Sequence, residues 1–212
     1  MTMTSEQILR VAPVVPVVVI DDAADAVPLA QALLAGGLPV IEITLRTPAA
    51  LGAIQAIAQG VPGAIVGAGT VLTPAHFDDA GQAGARFAIS PGASDALYAH
   101  AQSNRSALTY FPGVASASDV MRGMEAGFDC FKLFPAEAIG GVALLASLSG
   151  PFAEARFCPT GGIHAGNARN YLSMPNVLTV GGSWMVPKDA IQSRDWARIE
   201  RLAAEAAALA KS

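Results

Sequence analysis

One lysine, Lys132, sits in the apolar stretch FDCFKLFPAE (residues 128–137), between Phe131 and Leu133. The chain has two other lysines, Lys188 and Lys211. A lysine is rarely buried without a partner, because stripping water from an ammonium ion is costly. Side chains alternate along a strand, so Cys130, Lys132 and Phe134 share one face and Phe131 and Leu133 the other. Two readings follow: a lysine paired with a buried carboxylate or reaching its amine to solvent, or an amine that its apolar surroundings keep neutral and nucleophilic. The position just before Pro135, late in the strand, favours the second.

A second charged strand reads IEITLRT. The same alternation places Glu42, Thr44 and Arg46 on one face, an expensive arrangement for an interior. Buried Glu–Arg pairs are weak stabilisers, so a catalytic set is the better explanation once Lys132 is added. Glu42 is the candidate general base, and the planar fork of Arg46 suits a carboxylate. Thr70 closes the strand segment GAGT. The glycine pairs in PTGGI (Gly161, Gly162) and VGGS (Gly182 and its neighbour, then Ser183) end the last two strands. Backbone N–H groups of such turns receive phosphate in many barrels.

The elements that must position these residues are legible as repeats. Eight strand-like runs begin at residues 14, 39, 64, 87, 108, 130, 156 and 177. They recur about every 23 residues, a comfortable length for one βα unit. Between them lie alanine-rich segments such as AVPLAQALLAGG and SASDVMRGMEAG, apolar at three- and four-residue intervals, several ending on glycine. The last segment, DWARIERLAAEAAALAKS, is a helix. Eight strands alternating with helices predict an α/β fold, a (β/α)₈ TIM barrel forming one domain over residues 1–212. An open doubly wound sheet is the competitor, but no G-x-G-x-x-G follows the first strand. In a barrel the active site lies at the C-terminal strand ends.

The chain has 212 residues, 52% hydrophobic and 14% charged, with a net charge of −4 and pI near 5.3. That balance excludes the basic footprint of a nucleic-acid binder. The run VAPVVPVVVI (residues 11–20) contains two prolines and leads into Asp21-Asp22, unlike a signal peptide. No apolar run approaches a membrane span, and the chain is expected to be soluble and cytoplasmic. Cys130 and Cys158 read as reduced, buried thiols. His76 and His100 fall on helices and His164 after TGGI, so no metal cluster is expected.

The segments EITLRT, VGAGTV, FAISPG, FKLFPAE, RFCPTGG and VGGSW, in this order along nearly the whole chain, resemble the 2-keto-3-deoxy-6-phosphogluconate (KDPG) and 4-hydroxy-2-oxoglutarate aldolases. The resemblance implies a metal-free class I aldolase on a (β/α)₈ barrel, a homotrimer of the Entner–Doudoroff pathway, with no cofactor beyond the imine on Lys132. It gives Lys132 the Schiff-base role, Glu42 the acid/base role, and Arg46 and Thr70 contacts to pyruvate. Thr160 is implied in stereochemical discrimination at the aldehyde carbon. Gly161, Gly162, Gly182 and Ser183 correspond to phosphate-binding turns. The partners implied are the phosphorylated keto acid, pyruvate and glyceraldehyde 3-phosphate. Val19 departs from relatives that carry arginine late in the first strand. Left open are a preference for 4-hydroxy-2-oxoglutarate or the galactonate epimer, a phosphosugar isomerase or epimerase on the same barrel, and a binding protein in which Glu42 and Lys132 form a structural ion pair.

Overall fold

The computed structural model describes residues 3–209. A short helix α1 (Ser5–Leu9) leads into β1 (Val14–Val18), and then strands and helices alternate. The order is α2 (Ala26–Ala35), β2 (Val40–Thr44), α3 (Ala50–Gly60), β3 (Ile65–Gly69), α4 (Pro74–Gln82), β4 (Phe87–Ile89) and α5 (Asp95–Ser103). There follow β5 (Thr109–Phe111), β6 (Gly113–Val114), α6 (Ala117–Glu125), β7 (Cys130–Leu133) and α7 (Gly141–Ser149). The chain continues through β8 (Arg156–Pro159), α8 (Ala168–Leu172), β9 (Val180–Gly182), α9 (Lys188–Gln192) and α10 (Trp196–Ala207). Each of the eight expected strand segments is present. The fifth is divided at Pro112, which has no N–H to offer a ladder. The C-terminal helix stops at Ala207, and residues 210–212, Lys211 among them, lie outside the described residues.

Local chemistry explains the helix ends. The hydroxyls of Thr73, Ser94 and Ser116 accept from the N–H of His76, Leu97 and Asp119, capping α4, α5 and α6. Gly84 and Gly127, the A-G pairs of the sequence, take φ of 91° and 74° and turn the chain from helix into strand.

All named strand pairs are parallel. One curled sheet runs β5-β4-β3-β2-β1-β9, and a second runs β6-β7-β8. Isolated parallel bridges join Phe157 to Val177 and Thr160 to Gly181. Parallel strands need crossover connections, and the helices supply them.

The two strand faces separate into two apolar clusters. Ile41, Ile43, Phe131, Leu133 and Phe157 pack with helix residues such as Leu29, Leu33 and Ile54. Val15, Val40, Phe87, Phe111, Cys130 and Cys158 pack on the opposite face, inside the curl, together with Ile8 and Leu9 of α1. Most of these inner residues come early in their strands. Helix α1, absent from the sequence-based expectation, therefore stoppers the end opposite the strand C-termini. Among the described residues no helix is long and apolar enough to cross a membrane.

Phe131 is fully buried against the helices. Truncating it to alanine is expected to lower the unfolding free energy by about 3–5 kcal/mol through lost transfer energy and the cavity left behind, as measured by chemical denaturation.

Candidate active site

Glu42 and Lys132 meet inside the curl although they lie 90 residues apart on strands that are not neighbours. Lys132 Nζ donates to Glu42 Oε1 at 3.0 Å and approaches Oε2 at 3.4 Å. Both residues are buried, Lys132 at 6% and Glu42 at 1% exposure. Alternation places them there as expected: Cys130, two residues before Lys132, and Val40, two before Glu42, both belong to the inner cluster. Gly69 on the neighbouring strand makes the room, since a Cβ on it would overlap the Glu42 carboxylate. The Phe134 ring lies 5.5 Å from Nζ, on the face that alternation assigned to it.

This contact joins the two readings of Lys132. Its shell is apolar, but its nearest partner is a carboxylate, so the ion-paired lysine and the nucleophile are one arrangement. A single proton moved along the Nζ–Oε1 hydrogen bond converts ammonium and carboxylate into free amine and carboxylic acid. The amine can then attack a carbonyl, and the acid and its conjugate base can return and accept protons. Cys158, paired in register with Lys132, has its thiol pushed up to about 12, chiefly by burial and also by Glu42, against the opposing pull of Lys132. It stays protonated and is no competing nucleophile. Burial likewise raises the Cys130 thiol.

The remaining expected residues lie at strand ends or in the turns just after them. Thr44 is buried and donates to the Val18 carbonyl at 2.9 Å, tying β2 to β1. Arg46 departs from expectation. The strand ends at Thr44, so Arg46 lies in the following turn and is exposed, where strand alternation no longer assigns it a face. Its N–H donates to the Thr44 carbonyl, and its guanidinium makes no hydrogen bond or ion pair among the described residues. Thr70 follows Gly69 with φ of 58°. A β-branched residue in the left-handed region is strained by roughly 1–2 kcal/mol, and such strain concentrates at functional sites. Thr160 is buried on the inner face, 4.0 Å from the Cys158 sulfur, and Gly181 opposite it leaves no space for a side chain.

Gly161 and Gly162 take φ of 101° and 78° in the turn after β8. Gly182 is buried at the end of β9, and Ser183 is exposed just beyond it. Ser183 borders a cavity of about 410 Å³ whose walls include Val17, Val19, Asp21, Val186 and Lys188. Val17 is the register partner of Glu42, although neither Glu42 nor Lys132 lines this cavity. The first-strand departure, Val19, is 42% exposed there.

Two supporting features escaped the sequence. Ser90, fully buried after β4, shares a 2.6 Å hydrogen bond with the Tyr110 hydroxyl and accepts from the Gly113 N–H at 3.3 Å. Gly113 is the register partner of Lys132, so Ser90 braces the lysine strand. The only signal was a serine at the end of an otherwise apolar strand. The second is Gly69, whose role as space for Glu42 depends on strand register. The histidines stand apart, as expected: His76 and His100 on α4 and α5, His164 in an exposed turn. Among the described residues no group of three or more His, Cys, Asp or Glu could hold a metal ion.

Parallel strands wrapped by helices, with an amine and a carboxylate buried in contact on the inner face, suit an enzyme of carbonyl chemistry that works through a Schiff base. The family model described as KDPG and KHG aldolase matches residues 5–202. The KHG/KDPG aldolase of Escherichia coli (strain K12) is 50% identical over 208 residues, 98% of this chain and 97% of that protein. The 2-dehydro-3-deoxy-phosphogluconate aldolase of Zymomonas mobilis is 52% identical over 207 residues, 98% of this chain and 97% of that protein. The crystal structure of a KDPG aldolase from Legionella pneumophila, with pyruvate captured at low pH as a covalent carbinolamine intermediate, superposes with a TM-score of 0.94. It is 45% identical and covers 98% of this chain and 100% of that one. The chain belongs to the KDPG and KHG aldolase family.

Removing one member of a buried pair leaves the other charge without a partner. Glu42→Ala is expected to cost about 3–5 kcal/mol of stability, whereas Glu42→Leu combined with Lys132→Met should recover most of it; denaturant titration of the three variants measures this. Thr70→Gly relieves the left-handed strain and should raise stability by about 1 kcal/mol in the same assay.

Proposed function

We propose that this chain is a class I aldolase that cleaves 2-keto-3-deoxy-6-phosphogluconate to pyruvate and glyceraldehyde 3-phosphate, with Lys132 as the imine-forming residue. The observation that carries this is the buried 3.0 Å contact between Lys132 Nζ and Glu42, in a family one of whose members holds pyruvate as a covalent carbinolamine.

The steps follow from one proton and one electron pair. Lys132 passes a proton to Glu42, and its free amine adds to the C2 ketone. The resulting carbinolamine loses water, with Glu42 returning the proton to the leaving oxygen, and leaves a protonated imine. Glu42, again a carboxylate, takes the C4 hydroxyl proton directly or through a water. The C3–C4 bond breaks, its electron pair flows into the imine, and glyceraldehyde 3-phosphate departs. The enamine is protonated at C3 by the same carboxyl group, and hydrolysis releases pyruvate and regenerates Lys132. Arg46 and Thr70 hold the carboxylate end, and Thr160 faces the aldehyde carbon. Gly161, Gly162, Gly182 and Ser183 receive the phosphate. A grip at both ends holds the scissile bond near the imine. Arg46 suits its part because its guanidinium is uncommitted and exposed at a strand end.

The same active site is proposed to use 4-hydroxy-2-oxoglutarate as a second substrate, a reading supported by the name of the E. coli relative, KHG/KDPG aldolase. The strands are proposed to form one closed (β/α)₈ barrel domain. In its support, only Pro112 separates β5 from β6, and the bridges from Phe157 and Thr160 join β8 to the β9 segment. Assembly as a homotrimer, a cytoplasmic location and a place in the Entner–Doudoroff pathway follow from the family resemblance.

Borohydride reduction in the presence of pyruvate tests the assignment. Mass is expected at Lys132 alone, and a Lys132→Ala variant should trap none. Label on Lys188 or Lys211 would sink it. Glu42→Gln should fold, and its kcat should fall by about 10²–10⁴-fold, the range for loss of a general acid/base, in a coupled assay of pyruvate release.

A further inference from the structure

The loop after β7 and the turn after β8 are stitched together along their length. The Ala136 N–H donates to the Thr160 carbonyl at 2.8 Å, and the Glu137 N–H to the Gly161 carbonyl at 3.1 Å. The Glu137 carboxylate accepts from the hydroxyl of Tyr171, a side chain of α8 that is 1% exposed. Space is tight around this tie. A Cβ on Gly162 would press into the Glu137 side chain, and one on Gly141 would meet the Tyr171 hydroxyl. Burial and the neighbouring carboxylate both push the Tyr171 hydroxyl upward, so it remains a protonated donor.

We propose that Glu137 and Tyr171 are positioning residues that set the Thr160–Gly161–Gly162 turn relative to Lys132. The tie runs from α8 through Tyr171 to Glu137, and from the Glu137 backbone to Gly161. Gly161 in turn abuts Pro135 and the Phe134 ring, the ring that lies over Lys132 Nζ. A turn that receives an anion through backbone N–H groups works only if those groups point at the ligand. Two positive-φ glycines have no side chains to hold them in place, so the neighbouring loop must do it. Neither side chain hydrogen-bonds Lys132 or Glu42. Their loss should therefore weaken the grip on the phosphorylated end and spare imine formation with pyruvate, which lacks that end.

This inference rests on the reading that the Gly161–Gly162 turn receives phosphate. The test compares Glu137→Ala, Tyr171→Phe and Glu137→Gln in steady-state cleavage of 2-keto-3-deoxy-6-phosphogluconate, in pyruvate–borohydride trapping, and in calorimetric binding of glyceraldehyde 3-phosphate. Glu137→Ala and Tyr171→Phe are expected to raise KM and weaken aldehyde binding about tenfold, with kcat and trapping within about threefold of the parent, since a small misplacement of a remote grip is costly. Glu137→Gln keeps an acceptor for Tyr171 and should stay within about twofold. Unchanged KM and binding in both truncations would overturn the proposal. So would trapping and cleavage that fall together with melting temperature, or a Glu137→Gln variant as impaired as Glu137→Ala. A parent protein that traps no pyruvate would sink the aldolase reading itself, and the tie would still stand or fall on the binding measurement.

Discussion

The contact between Lys132 and Glu42 constrains most of what surrounds it. Two ionisable groups held away from water attract strongly, but each has lost its hydration, and the balance of the two is close to neutral for stability. Such a pair persists only where the fold enforces it. Here the enforcement comes from strand register. Glu42 pairs with Val17 on one side and Gly67 on the other, and Lys132 with Gly113 and Cys158. Both side chains project from the inner face above an apolar layer sealed by Ile8 and Leu9. Slipping either strand by one residue would turn its charge outward into the helix layer.

Glycine placement follows from the same constraint. A carboxylate inside a packed curl needs space that neighbouring side chains would take, and Gly69 leaves it. Gly67 does the same for the Phe87 ring, and Gly181 for Thr160. Gly67 and Gly69 therefore belong to the inside of the curl, while Ala68 between them packs with the helix-facing cluster. The strain at Thr70, immediately after Gly69, fits a segment shaped by the site rather than by its own backbone preference.

Much of this was legible in the sequence because parallel strands buried on both faces appear as short apolar runs, and a charge within such a run stands out. Lys132 and Glu42 announced themselves in that way, and alternation correctly gave their shared face. The distance between them did not follow, since which strands face each other across the curl is a property of closure and not of any local pattern. Arg46 lies two residues past the end of its strand, where period two no longer applies, so alternation does not fix its direction. Helix α1 was missed because Ser5–Leu9 is too short to show a period, and the break at Pro112 was hidden inside an otherwise continuous apolar run. The tie between Glu137 and Tyr171 joins residues 34 apart, in a three-residue 3-10 turn and a five-residue helix, where sequence pattern carries least.

The charges around the cavity beside Ser183 bear on how an anion is held there. Arg194 pairs with Asp25 at 2.7 Å and with Asp22 at 3.7 Å, which leaves Asp21 without an ion-pair partner among the described residues. Lys188 lies on the same cavity wall. Three carboxylates and one ammonium group thus line this cavity, with Arg194 paired to two of the carboxylates, so the cavity carries no excess of positive charge for a phosphate. On the proposed function, the phosphate is then gripped by short, directed N–H contacts from the glycine turns, whose strength depends on geometry more than on net charge. Screening by salt acts chiefly between exposed charges separated by a Debye length or more, so a grip of this kind is less sensitive to ionic strength than a cluster of exposed cations would be, but it is intolerant of displacement. That intolerance is the physical reason a turn of two flexible glycines needs a rigid neighbour, and it explains why the loop carrying Glu137 is packed so closely against it.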